Sequence, residues 1–208
     1  MRASLVLLLL LAAAARARAG DWLLQAEADA ASATIPGEGG PRPLVKTWVP
    51  YDPASRLFRA WIPGEGWRGS EEDDALGTVE RFYGPEDSSG LVRATISVRL
   101  VDRDSAIFVP AKDAVAVMRR EEDGRKTTPL TTRRFPAGLA RLFEVTRELR
   151  LPADEGPALP LTVHEYVAVI PRGEAYFVVR LTSARSDYLA LRPLFVRFLE
   201  ELHAVGDR

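Results

Sequence analysis

Residues 91–101 read LVRATISVRLV. Val92, Ala94, Ile96, Val98 and Leu100 fall on alternate positions, with Arg93, Thr95, Ser97 and Arg99 between them. A period of two sends successive side chains to opposite faces, so this segment predicts a strand with one face buried and the other solvated. Such strands belong to antiparallel sheets, which tolerate water on one side. Segments of similar character extend in both directions. Upstream are LVKTWVPYDPASRLFRAWIP at 44–63, a hairpin with YDPAS as its turn, and LGTVERFYGP at 76–85. Downstream are LARLFEVTRELRL at 139–151, LTVHEYVAVIP at 161–171 and AYFVVRLTS at 175–183.

Two segments change period. PAKDAVAVMRREEDG, 110–124, predicts a helix beginning after Pro110 and stopping at Gly124, with Ala111, Ala114, Val115 and Met118 on its inner stripe. SDYLALRPLFVRFLEELHA, 186–204, carries Tyr188, Leu191, Phe195, Phe198, Leu199 and Leu202 at helical spacing. Pro193 interrupts its hydrogen-bond ladder, so the helix either kinks there or restarts with Pro193 in a first turn. Strands, a helix, three strands and a helix predict an α+β fold: an antiparallel β-sheet sandwiched between helices.

The chain has 208 residues, enough for one domain with a substantial core. It opens with MRASLVLLLLLAAAARARAG. A basic residue, an apolar run from Leu5 to Ala15 and the A-x-A site Ala17–Ala19 have the form of a secretory signal peptide, residues 1–19. An uncleaved anchor is the other reading, but the run falls short of the roughly 20 residues a span needs. Cleavage after Ala19 removes Arg2, Arg16 and Arg18, leaving 25 basic and 29 acidic residues, a net charge of −4. Residues 20–43 read as an N-terminal extension or linker and 44–205 as the domain. The expected product is exported, periplasmic or extracellular, with no stable membrane insertion after cleavage, and its acidic balance gives no reason to expect nucleic acid as a partner.

The chain contains no cysteine, which closes disulfides, thiolate nucleophiles and Cys-ligated zinc. The GxxxxGKS/T phosphate loop, the GxSxG elbow and HExxH are absent as well, so no cofactor is expected. His164 and His203 are the only histidines. His164 and Glu165 are consecutive in a strand and must point to opposite faces, which makes them a poor dyad. His203 sits at the expected end of the last helix, where a cation complements the dipole. Four consecutive acids, Glu71, Glu72, Asp73 and Asp74, are the candidate metal ligands, because hard cations take several converging oxygens. Their spacing lacks the alternation and glycine of an EF-hand, and most charge runs of this kind are solvated surface. Arg133 and Arg134, in the polar connection TTPLTTRRF, are partner-binding candidates, as is Trp67. Trp61 and Trp67 bracket a Pro-Gly-Glu-Gly turn; both are expected in the core, Trp67 at least in part, with ligand stacking as the rival reading.

Several of these stretches resemble the PsbP-like family. YDPASRLFRAWIPGEGW is similar to its opening, ISVRLVD with the helix at 111–123 to its middle, and AYFVVRLTSARSDYLALRPLFVRFLEEL to its close. The resemblance spans about residues 44–204 and includes a more distant Ran-binding Mog branch. It implies an antiparallel sheet between helices, no catalytic residues, and a scaffold or assembly role. FLEEL stands where that family's final helix often ends in Ser-Phe. The expected function is therefore an exported non-enzymatic binding or accessory protein with a protein partner. A carboxylate- or metal-dependent hydrolase, or a small-ligand or metal carrier, is the alternative.

Overall fold

A computed structural model of the chain describes residues 45, 47–74, 76–86, 92–122, 124–150 and 160–205. Residues 1–19, expected as a signal peptide, and 20–43, expected as an extension, lie outside the described residues. Among the described residues, eleven strands and two helices follow one another as β1 (Trp48–Tyr51), β2 (Phe58–Pro63), β3 (Arg68–Asp74), β4 (Gly77–Tyr83), β5 (Ala94–Val101), α1 (Ala111–Met118), β6 (Arg125–Thr127), β7 (Thr131–Phe135), β8 (Gly138–Arg150), β9 (Pro160–Arg172), β10 (Ala175–Ala184), α2 (Arg185–Glu200) and β11 (His203–Ala204).

The strands form two sheets rather than the single one expected. The large sheet has eight strands in the order β3-β4-β5-β10-β9-β8-β6, with β7 also pairing with β8. A three-stranded sheet, β1-β2-β11, is separate from it. All pairings among the named strands are antiparallel. The β1–β2 hairpin turns through the predicted YDPAS segment. His203 does not end the helix; it pairs with Arg59 in β11.

Alternation divides the large sheet into two faces. On one, Phe82, Ile96, Ala168, Phe177, Val179 and Leu181 pack with Phe195, Phe198 and Leu199 of α2 and with Phe58, Ala60 and Ile62 of the small sheet. On the other, Val101, Phe143, Val145, Val167, Val169 and Tyr176 pack with Ala114 and Val115 of α1. The domain is thus dominated by antiparallel sheet. One face is covered by α2 and the small sheet, and part of the other by α1.

Within β5, Ala94, Ile96 and Val98 are buried as expected, while Leu100 is only half-buried and Val101 is buried on the opposite face. Val92 precedes the strand, in an isolated bridge with Glu86, and is half-buried. The first helix is shorter than its sequence suggests, ending at Met118 instead of running to Gly124. Arg125 donates to the carbonyls of Met118 and Arg120, satisfying acceptors that a helix end leaves open. The last helix is continuous through Pro193. Its lost hydrogen bond falls on the solvent side: Pro193 is exposed and Leu189, four residues earlier, is 75% exposed.

Candidate functional site

The two charged segments marked in the sequence lie on opposite edges of the large sheet. The acidic run is not a loop. It is β3, at one edge, paired along its length with β4. Strand alternation therefore separates the four acids, placing Glu71 and Asp73 on the α2 side and Glu72 and Asp74 on the α1 side. Each acid meets a local partner. Glu72 pairs with Arg81 at 2.5 Å and accepts from the Tyr83 hydroxyl at 2.6 Å. Asp74 pairs with Arg99, Asp73 accepts from Thr78 at 2.8 Å, and Glu71 accepts from the backbone N–H of Ser55 at 3.0 Å. Among the described residues no group of three or more His, Asp or Glu side chains is placed to hold a metal ion.

Arg133 and Arg134 belong to β7, on the outer side of β8 at the opposite edge. This segment is a strand and not the polar connection expected. Thr131, Thr132, Arg133 and Arg134 are exposed and Phe135 is buried. Arg133 lies over the Phe135 ring, 5.0 Å from its centroid, and pairs with Glu200 of α2 at 2.5 Å. Both partners of that ion pair are about half exposed, so its contribution to stability is small.

The tryptophans separate. Trp67 is 8% exposed. Its ring packs so close to Gly84 that a Cβ there would lie 3.3 Å from it and 3.0 Å from the Ala94 carbonyl. Gly66, at φ 72°, supplies the left-handed turn between the two rings. Trp67, a partner-binding candidate in the sequence, is thus a buried side chain. Trp61, expected in the core, is 42% exposed. It alternates with buried Ala60 and Ile62 and so points off the outer side of the small sheet.

Glu80 is a feature the sequence did not mark. It is 2% exposed, and its Oε2 accepts a 2.8 Å hydrogen bond from the Tyr51 hydroxyl, which ties the small sheet to the large one. Its Oε1 is buried without a hydrogen-bond partner. Glu71 is its direct cross-strand neighbour. Burial pushes the Glu80 carboxyl up to about 7, and the Glu71 carboxyl adds to the rise against the opposing bond from Tyr51. Burial and the same carboxylates hold the Tyr51 hydroxyl well above the ordinary tyrosine range.

His164 and Glu165 do point to opposite faces. On the α2 side, the His164 ring stacks on Tyr188 with centroids 5.0 Å apart, and its Nδ1 lies 3.3 Å from Thr146 Oγ1. Burial, then the nearby Arg185 cation, lowers its proton affinity. Arg192 pairs with Glu144 at 3.1 Å and covers the Tyr166 ring. On the α1 side, Glu165 is 2% exposed and pairs with Arg147, and Arg180 Nη1 lies 3.6 Å from its Oε1. Burial alone would raise the Glu165 carboxyl; Arg180 and Arg147, with Arg125, outweigh it and hold it below the usual range. Arg125 and Arg147 are themselves direct cross-strand partners, a repulsive placement that Glu165 offsets.

Together these features define an α+β domain on one large antiparallel sheet, with charged edge strands and a belt of arginines and carboxylates across one face. No protein-family model matches the chain, and no curated protein does. Among solved structures it is similar to the cyanobacterial PsbP protein CyanoP from Synechocystis, at 14% identity over 81% of this chain and 98% of that one, with a TM-score of 0.48. It is similar to the Ran-binding protein Mog1p of Saccharomyces cerevisiae at 12% identity over 77% of this chain and 96% of that one, TM-score 0.48. It is also similar to LpqN, involved in cell envelope biogenesis of Mycobacterium tuberculosis, at 13% identity over 77% of this chain and 91% of that one, TM-score 0.46. PsbP and Mog, the two branches named from the sequence motifs, are both among them. Among the described residues no helix is long and apolar enough to cross a membrane.

Proposed function

We propose that this chain is an exported, non-enzymatic binding or accessory protein. In this reading residues 44–205 form a PsbP-like domain between helices, released by cleavage after Ala19, and a protein partner meets the edges of the large sheet. The observation that carries it is the placement of the two charged segments. Glu71–Asp74 and Arg133–Arg134 are far apart in sequence, yet each forms an edge strand of the same sheet. Charged edges discourage unspecific strand pairing and leave a rigid surface that a complementary partner reads. The carboxylates argue against hydrolysis: Glu80, with the raised proton affinity a general acid needs, is buried away from any substrate.

The test captures partners with the mature protein from its own envelope extract and repeats the capture with Arg133→Glu/Arg134→Glu. One retained protein is expected, and its loss from the double variant while circular dichroism stays unchanged. N-terminal sequencing of the exported protein should begin at Gly20. Equal retention by the double variant, or metal-dependent turnover abolished by one carboxylate substitution, overturns the reading.

A further inference from the structure

The face of the large sheet that carries α1 is apolar only in part. Away from Val101, Val145, Val167 and Tyr176, it presents Thr95 and Ser97 of β5 and Arg180 and Thr182 of β10. Arg180 is the direct cross-strand partner of Ser97, and Thr182 that of Thr95. The three hydroxyl residues and Arg180 are all half-buried, within reach of solvent. Adjacent strands lie about 5 Å apart and alternate residues about 7 Å apart. Four hydrogen-bonding side chains on one face therefore frame a patch of those dimensions, the scale of one tetrahedral oxyanion with its hydrogen bonds.

The charge around the patch supports the same occupant. Arg125 donates its two terminal nitrogens to backbone carbonyls, which carry no formal charge. Glu165 and Glu122 both act on its charge. Glu165 also contacts Arg147 and stands 3.6 Å from Arg180, so one buried carboxylate faces both of those guanidiniums. Solvent reaches Arg180, whose side chain is 23% exposed against 16% for Arg147 and 2% for Glu165. A guanidinium fork beside hydroxyl donors on a rigid strand pair is the arrangement that binds phosphate and sulfate groups.

We propose that Arg180, with Ser97, Thr95 and Thr182, forms a binding site for a tetrahedral oxyanion, a phosphate or sulfate group. The site lies on a face of the sheet, separate from the edges assigned to a protein partner, and stands or falls independently of that assignment.

The test follows the thermal unfolding midpoint by tryptophan fluorescence as inorganic phosphate or sulfate replaces chloride at constant ionic strength. Ligand that binds only the folded state raises the midpoint, with the logarithm of its concentration once that exceeds Kd. The unmodified protein should show such a rise. Arg180→Gln should weaken the apparent affinity about tenfold or more, as expected for losing a charge-assisted hydrogen bond. Arg180→Lys should fall between the two, keeping the charge without the fork. Ser97→Ala, at a half-buried position that tolerates truncation, should also weaken it and serves if Arg180→Gln does not fold. Glycerol phosphate forms a second arm. A response to the free ions marks a free oxyanion, and a response to the ester alone assigns the group to a larger organic ligand; either pattern upholds the site. No rise beyond chloride in any arm, or equal affinities in the unmodified protein and the variants, overturns it.

Discussion

Glu80→Gln should make the protein more stable above neutral pH while leaving it nearly unchanged in acid. The carboxyl at 80 is ordinary in the unfolded chain, near 4.5, and is pushed up to about 7 when folded. Between those values the folded protein holds a proton that the unfolded chain has released. Stability therefore falls as pH rises from about 4.5 to about 7 and stays low above. Each pH unit of displacement is worth about 1.4 kcal/mol, so a rise from 4.5 to about 7 sets an upper bound of ~3.5 kcal/mol. Solvent around the exposed Glu71 carboxylate screens its share, leaving about 1–2 kcal/mol. Glutamine keeps an acceptor for the Tyr51 hydroxyl and cannot ionise. Urea unfolding of both proteins at pH 5 and pH 8.5 should then give midpoints that nearly coincide in acid and separate by that amount in base. His164 titrates in the same region with the opposite sign: its lowered proton affinity makes stability rise with pH. It is common to both proteins and cancels in the difference. A gap between the two proteins that is the same at both pH values would refute the argument that Glu80 is folded in its protonated form.

Phe198 is fully buried, with its ring 5.4 Å from that of Phe82, so Phe198→Ala should cost about 3–5 kcal/mol in chemical unfolding. Phe198→Leu should cost clearly less, because it leaves a smaller cavity; equal losses would show that the α2 contact is not the seat of the core. In variants that keep a single tryptophan, iodide should quench Trp61 efficiently and Trp67 poorly, given exposures of 42% and 8%; similar quenching constants would contradict the alternation read along β2.

What the sequence showed of the fold follows from how local each signal is. β5, β9 and β10 alternate cleanly because each has at least one face filled by apolar side chains, and α2 declares itself through Tyr188, Phe195, Phe198 and Leu199. β3 is illegible for the opposite reason: RGSEEDD contains no apolar residue, and its strand form comes from pairing with β4. β7 likewise depends on β8, with only Phe135 turned inward. β11 exists because the chain leaving α2 happens to meet β2, a contact made across more than 140 positions that no local pattern announces. The site residues divide the same way. That His164 and Glu165 part company is strand geometry and could be read directly. Nothing local marks Glu80 in LGTVERFYGP, because Tyr51, which bonds it, lies 29 residues away. Trp61 and Trp67 were assigned by residue type, whereas a shift of register across the Gly66 turn decides which ring is covered.

The charged belt on the α1 face has a geometric origin. α1 has eight residues and, at 1.5 Å per residue, is about 12 Å long. Seven strands side by side, spaced by about 4.8 Å, give a sheet more than twice as wide. An eight-residue helix cannot cover it, and many of the remaining positions on that face are polar. In β5 and β10 these are Thr95, Ser97, Arg99, Arg180 and Thr182, and in β9 Glu165. Taken one strand at a time, they look like the water-facing half of an amphipathic pattern. Across the register they are neighbours: Arg99 is drawn to Asp74, and Arg180, Arg147 and Arg125 to Glu165. The incomplete cover that leaves the sheet dominant is thus the same fact that gathers its arginines into a surface able to receive an anion.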